Sequence, residues 1–247
     1  MLNARLLALL FFATPAAGDT ALFAVAANYA TAAEAQAVAY KAASGHDIQL
    51  TTGSTGKLYA QIGAGAPYDA MLSADAATPA RLEAEGQAVA GSRFTYALGA
   101  LVLWSPDPAL IGPDPAVSLT DPRLRHLAIA NPELAPYGIA AQQALQSLGL
   151  WGVLTAQMVL GENIGQTYAM VATGGAEAGF VALSALAGDM QGSRWQVPQE
   201  LFEPIRQDAV LLLHGADNAA AKGFLDWLAS PAAEPINATF GYATATP

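Results

Sequence analysis

The 247-residue chain has no cysteine and only three histidines. The first absence excludes disulfides and thiolate chemistry. The histidines are not clustered with carboxylates at the spacings a metal site needs. Positive charge is scarce too, with 10 Lys and Arg against 20 Asp and Glu and a formal net charge of −10. A chain of that balance is a poor partner for nucleic acid or an anionic membrane surface. Beyond the N-terminus no stretch approaches ~18 uncharged apolar residues, so no membrane-spanning helix is expected. Internal repeats and coiled-coil heptads are absent as well.

What is present begins with residues 1–18. A single Arg5 precedes an unbroken apolar run over 6–13, and small residues close the segment at 14–18. That order is the order of a secretory signal, and the apolar run is too short to span a bilayer. Cleavage is expected before Asp19. It removes one Arg and no acid, leaving 9 basic and 20 acidic residues and a net charge of −11. The sequence therefore predicts a soluble, exported protein whose stability rests on its core. A hydrophobic content of 53% supports such a core.

Strand-like and helix-like segments then alternate. Strands are expected over 21–26, 46–50 and 70–73, and helices over 32–44, 57–63 and 79–85. This βαβαβα order favours parallel strands covered by helices. The apolar run 94–104 is long enough to pass from one domain into another. A Pro-rich stretch follows (Pro106, Pro108, Pro113, Pro115), and then a second α/β unit. Its strands are expected at 126–130, near Val159 and at 178–183, with helices over 138–148 and 164–173. A last strand over 208–214 and a helix over 219–229 end the chain. Two α/β lobes joined by crossing strands describe a cleft, and ligands in such sheets sit beyond the strand carboxyl ends.

Thr51-Thr52-Gly53-Ser54-Thr55-Gly56 lies at one such end, with four hydroxyls and two glycines just before a helix. First-turn N–H groups lack intrahelical partners and the helix dipole is positive there, so the site suits an anion. An ordinary N-cap with spare hydroxyls would read the same way. Three further strand ends carry comparable residues, at Ala26-Ala27-Asn28-Tyr29, at 130–138 and at Glu162-Asn163-Ile164-Gly165-Gln166.

These segments occur with Gly65-Ala66-Pro67-Tyr68-Asp69, Leu72-Ser73-Ala74-Asp75, Arg93-Phe94-Thr95-Tyr96-Ala97, Ala130-Asn131-Pro132, Ala135-Pro136-Tyr137-Gly138 and Gly179-Phe180-Val181-Ala182. In that order and over some 220 residues, the chain resembles the periplasmic molybdate-binding proteins of ABC importers. The resemblance implies the type II periplasmic binding protein fold, two-lobed α/β, each lobe a mixed, mostly parallel sheet flanked by helices. It implies lobe I from 19–97 and 207–247, and lobe II from 98–206. It also implies a non-catalytic periplasmic receptor, without cofactor, that captures molybdate or tungstate and delivers it as a monomer to a membrane permease. The oxyanion would be held by Ala27, Asn28, Ser54, Thr55, Tyr137 and the backbone of Ile164, with no direct metal ligand. One branch of the family uses a tyrosine where this chain has Ala182, and alanine where it has Tyr137, so the phenol is expected from the other side.

Rival readings are weaker. Lys57 after Gly56 suggests a phosphate loop, but Thr51 and Leu58 stand where a glycine and a hydroxyl residue belong. Lys57 is therefore read as a solvated helix-start residue. No Gly-x-Ser-x-Gly elbow surrounds Ser54, which leaves a serine hydrolase as the alternative of another class. His46, His126 and His214 are read as structural, Asp69 and Asp75 as capping or lobe contacts, and the four tryptophans as packing. A receptor for another tetrahedral oxyanion such as sulfate is the alternative within the same fold.

Overall fold

The computed structural model describes residues 18–188 and 191–243. Residues 1–17 of the expected signal segment thus lie outside the described residues. No helix among the described residues is long and apolar enough to cross a membrane.

The first half builds one sheet. β1 (Thr20–Ala26) is buried almost throughout and runs through a 3-10 turn, Ala27–Tyr29, into α1 (Ala30–Ser44). Gly45 ends that helix in the left-handed region, φ 81°, the conformation only glycine adopts freely. β2 (Asp47–Gly53), α2 (Thr55–Gly63), β3 (Ala70–Leu72) and α3 (Ala77–Ala84) follow. β4 (Phe94–Gly99) and β5 (Leu101–Ser105) divide the long apolar run between two sheets, breaking at Ala100.

The second sheet is assembled from β5, β6 (Leu127–Ala130), β7 (Met158–Gly161), β8 (Ala178–Ala182) and β9 (Ser193–Gln196). Between them lie α4 (Pro115–Leu119), α5 (Pro136–Ser147), α6 (Trp151–Leu154) and α7 (Ile164–Ala172). β10 (Ile205–Leu211) returns to the first sheet, and α8 (Ala219–Ala229) and α9 (Glu234–Thr239) pack on it. The strand orders are β2-β1-β3-β10-β4 and β7-β6-β8-β5-β9. Both sheets are mixed. In the first, β1 runs parallel to β2 and β3, and β10 antiparallel to β3 and β4. In the second, β6 runs parallel to β7 and β8, and β5 antiparallel to β8 and β9.

Two departures from the sequence expectation matter for the site. α5 starts at Pro136, not at 138, because proline is tolerated where a helix has no N–H to satisfy. Tyr137 consequently sits in the first helical turn. The last strand covers 205–211, not 208–214, and His214 falls in a 3-10 turn beyond it. The register of β10 against β4 shifts between Gln207 and Asp208, leaving Tyr96 as an extra residue on β4. A bulge of this kind re-aims side chains. Asp208 beside it is buried and held by Arg93 (2.7 Å), Arg206 (3.3 Å) and Thr95 (2.7 Å).

Candidate functional site

β1, β2, β6 and β7 each end beside the start of a helical segment, and the four starts face one another across the gap between the sheets. They line a small, partly open cavity of about 10 Å³, far below the ~300–1,000 Å³ usual for organic ligands. Its wall contains all six residues expected to meet the anion: Ala27, Asn28, Ser54, Thr55, Tyr137 and Ile164. No carboxylate, Lys or Arg lines it.

The hydroxyls in the wall share one property. Ser54 is the N-cap of α2, and its Oγ accepts from the Lys57 N–H at 3.3 Å. Thr55 Oγ1 accepts from the Ala74 N–H at 3.2 Å. Tyr137 Oη accepts from Gln207 Nε2 at 3.4 Å. Each oxygen is used as an acceptor by the protein, so each proton remains to be donated. The N-cap and the anion cradle are therefore compatible at Ser54, since capping uses a lone pair and the cradle uses the proton. Burial pushes the Tyr137 phenol well above its usual range, which keeps it protonated.

Backbone donors complete the arrangement. The first-turn N–H groups of Thr55 and Ile164 have no intrahelical acceptor. Asn163 caps α7, its Oδ1 accepting from the Gln166 N–H at 2.9 Å. Asn163 also lines the cavity; the sequence places it in the fourth strand end but not among the expected anion ligands. Ala182 lies in the neighbouring cleft and lines no part of this cavity, whereas Tyr137 does.

The lobes touch around the cavity. Gly56 N–H donates to Leu134 O across the gap at 3.0 Å, and a Cβ on Gly56 would stand 3.2 Å from that oxygen. Lys57 Nζ pairs with Glu162 at 2.6 Å, so the helix-start lysine is a bridge between the lobes and not merely solvated. Ser184 Oγ donates to Asn28 O at 2.8 Å. Below the wall, Asn28 Nδ2 donates to Gln207 Oε1 (2.8 Å) and to Tyr242 Oη (3.1 Å), and the Tyr242 hydroxyl donates to Asn28 O (2.6 Å). Neither Gln207 nor Tyr242 stood out in the sequence.

The remaining chemistry-bearing residues are occupied elsewhere. Asp75 caps the start of α3 through the Thr78 N–H at 2.8 Å. Asp69 accepts from the Leu22 N–H and faces His214 Nδ1 at 2.9 Å. His46 accepts from the Asp19 N–H, and His126 lies 3.6 Å from Glu177. Trp104 stacks on Tyr168, and Trp227 Nε1 donates to Gln36. Among the described residues no group of three or more His, Asp and Glu could hold a metal ion.

Residues 21–243 match the model of the bacterial extracellular solute-binding protein family. A molybdate-binding protein ModA from Rhodobacter capsulatus is 47% identical over 232 residues, covering 94% of this chain and 91% of that protein. The structure is similar to that of the Azotobacter vinelandii periplasmic molybdate-binding protein, with TM-score 0.87 and 39% identity over 92% of this chain and all of that one. The sulfate-binding protein SubI of Mycobacterium tuberculosis H37Rv shares the fold at TM-score 0.73 with 12% identity, covering 93% of this chain and 88% of that one. The chain belongs to the bacterial extracellular solute-binding protein family.

Proposed function

We propose that this protein is a periplasmic receptor that closes its two lobes around molybdate, or the isosteric tungstate, and delivers the anion to the membrane permease of an ABC importer. The observation that carries the reading is the set of hydroxyls on Ser54, Thr55 and Tyr137, all accepting from the protein and all retaining a proton. Molybdate is a fully deprotonated dianion near neutral pH, so it takes such donors and offers none. A donor bound to a charged acceptor contributes about 1.5–3 kcal/mol. Hydrogen phosphate carries a proton that no carboxylate in the wall can receive. The names of the relatives point the same way.

Ala27, Asn28, Ser54, Thr55, Tyr137 and the Ile164 N–H are the proposed anion ligands. The lobes divide at 97/98 and 206/207 in this reading, supported by β4 leaving the first sheet at Gly99 and β10 entering it at Ile205. The protein acts as a monomer, is exported by its N-terminal signal, and catalyses no reaction. Closure is a population shift driven by an anion that meets both lobes at once.

The test is calorimetric titration and thermal denaturation of the purified protein with molybdate, tungstate, sulfate and phosphate. Molybdate and tungstate are expected to bind and raise the melting temperature, sulfate and phosphate to do neither. A shift with sulfate alone would make the protein a receptor for the smaller anion.

A further inference from the structure

The three hydroxyls differ in what sets their direction. Ser54 and Thr55 accept from backbone N–H groups, which can only donate. Tyr137 accepts from a side-chain amide, and an amide can present oxygen as readily as nitrogen. If Gln207 turned Oε1 toward Tyr137, that oxygen would take the phenol proton. The cavity would then face a lone pair.

A chain of contacts from a backbone carbonyl decides the matter. Asn28 O can only accept, and the Tyr242 hydroxyl lies 2.6 Å from it. The single proton of Tyr242 goes to Asn28 O or to Ser184 Oγ at 3.0 Å, and in either case its oxygen turns a lone pair to the Asn28 side chain. Nδ2 of Asn28 must answer, and it lies 3.1 Å away. The same Nδ2 is 2.8 Å from Gln207, which must present Oε1. Oε1 also lies 3.1 Å from the Tyr96 hydroxyl, whose one proton is shared with Ser73 O at 2.9 Å, so Tyr96 adds little to the choice. Nε2 is left for Tyr137. The arrangement leaves Asn28 Oδ1 buried without a hydrogen-bond partner in the protein. The orientation is thus imposed by the contacts around it and not by the satisfaction of Asn28 itself.

We propose that Tyr242 and Gln207 are positioning residues that fix Tyr137 as a hydrogen-bond donor toward the bound oxyanion. Neither lines the cavity. Both act through the direction of one proton, which makes them determinants of selectivity for fully deprotonated anions. The inference rests on the reading that an oxyanion occupies the cavity.

A double-mutant cycle read by molybdate calorimetry tests it. Tyr137→Phe alone is expected to weaken binding about tenfold or more. Gln207→Glu supplies a carboxylate that accepts on both oxygens and captures the phenol proton. Tyr137→Phe added to that background should then cost less than about twofold, because its proton is already lost. Tyr242→Phe releases the Asn28 amide and should also weaken binding, with Tyr137→Phe again costing less there than alone. Equal cost of Tyr137→Phe in all three backgrounds, or wild-type affinity in Tyr242→Phe, overturns the proposal. Charge repulsion or general loosening would add to the Tyr137→Phe effect without reducing it. Ser54→Ala, titrated in parallel, separates the two levels. If it loses affinity while the cycle is additive, the site stands and the positioning chain fails. Wild-type affinity in both Ser54→Ala and Tyr137→Phe overturns both.

Discussion

Gly99 and the Tyr137 hydroxyl are packed so closely that a Cβ on Gly99 would overlap Oη, and it would come within 2.6 Å of Gln207 Nε2. Gly99 ends β4, at the point where the chain leaves the first sheet for the second. A side chain there must displace either the phenol or the amide. Gly99→Ala is therefore expected to weaken molybdate binding about tenfold, the worth of one hydrogen bond to a charged acceptor. Circular dichroism should show the fold retained. Unchanged affinity would mean that the phenol is not needed at the anion.

Ser54 does two jobs that substitution can separate. Ser54→Ala removes cap and proton together, costing about 0.5–2 kcal/mol of stability and about tenfold or more in affinity. Ser54→Asp keeps a capping oxygen but places a carboxylate in the wall. It should preserve the melting temperature of the empty protein and abolish molybdate binding. Retained binding in Ser54→Asp would remove Ser54 from the cavity wall.

The helix starts were readable because hydroxyl and small residues after a buried strand have a local signature. β1 and β6 are marked by continuous apolar runs, and β2 and β7 more by the polar and small residues that follow them. Five of the six wall residues sit within three positions of a strand end, with Tyr137 in the first turn of α5. The supporting layer carries no such signature. Gln207 lies in a strand whose apolar neighbours say nothing of which face meets the cavity, and its aim depends on a bulge opposite Tyr96. Tyr242 comes from a C-terminal turn 214 positions away from Asn28 in the chain. β9, with one buried residue in four, and the six-residue α9 lack the periodicity that exposes a strand or helix in sequence. Lys57 was read correctly as a helix-start residue, but its partner Glu162 lies 105 residues on, beyond any local pattern.

The Lys57–Glu162 pair joins the two lobes with side chains 45% and 59% exposed. Exposed pairs are worth no more than about 0.2–1 kcal/mol. Lys57→Gln is expected to raise the molybdate dissociation rate by about fivefold or less in low salt. That difference should vanish near 1 M salt, where the screening length falls to ~3 Å. Stopped-flow release, followed by tryptophan fluorescence, reads both. A large loss persisting at high salt would place Lys57 on the anion itself.

Burial raises the phenols of Tyr29, Tyr96, Tyr137 and Tyr242 above the ordinary tyrosine range. The native state therefore holds these protons more tightly than the unfolded chain does. Their contribution is fully present below the unfolded value of about 10 and is lost as pH rises above it. Urea unfolding should show little tyrosine-linked change up to about pH 9 and a steep fall above pH 10. Molybdate affinity, by calorimetry, should stay flat between about pH 6.5 and 8.5, since the one ionisable side chain in the wall stays neutral. A tenfold change across that interval would require another titrating group at the anion.

The absence of carboxylates, Lys and Arg from the cavity wall has a consequence for how cargo leaves. Acidification or alkalisation near neutrality alters no charge in the wall, so a change of environment cannot eject the anion. Release has to be mechanical. Whatever pulls the lobes apart must break the Gly56–Leu134, Ser184–Asn28 and Gln207–Tyr137 contacts in the same motion that strips the anion of its donors from one side. In the proposed function the work of unloading is thus set by the geometry of these seams, and it falls to whatever opens the lobes.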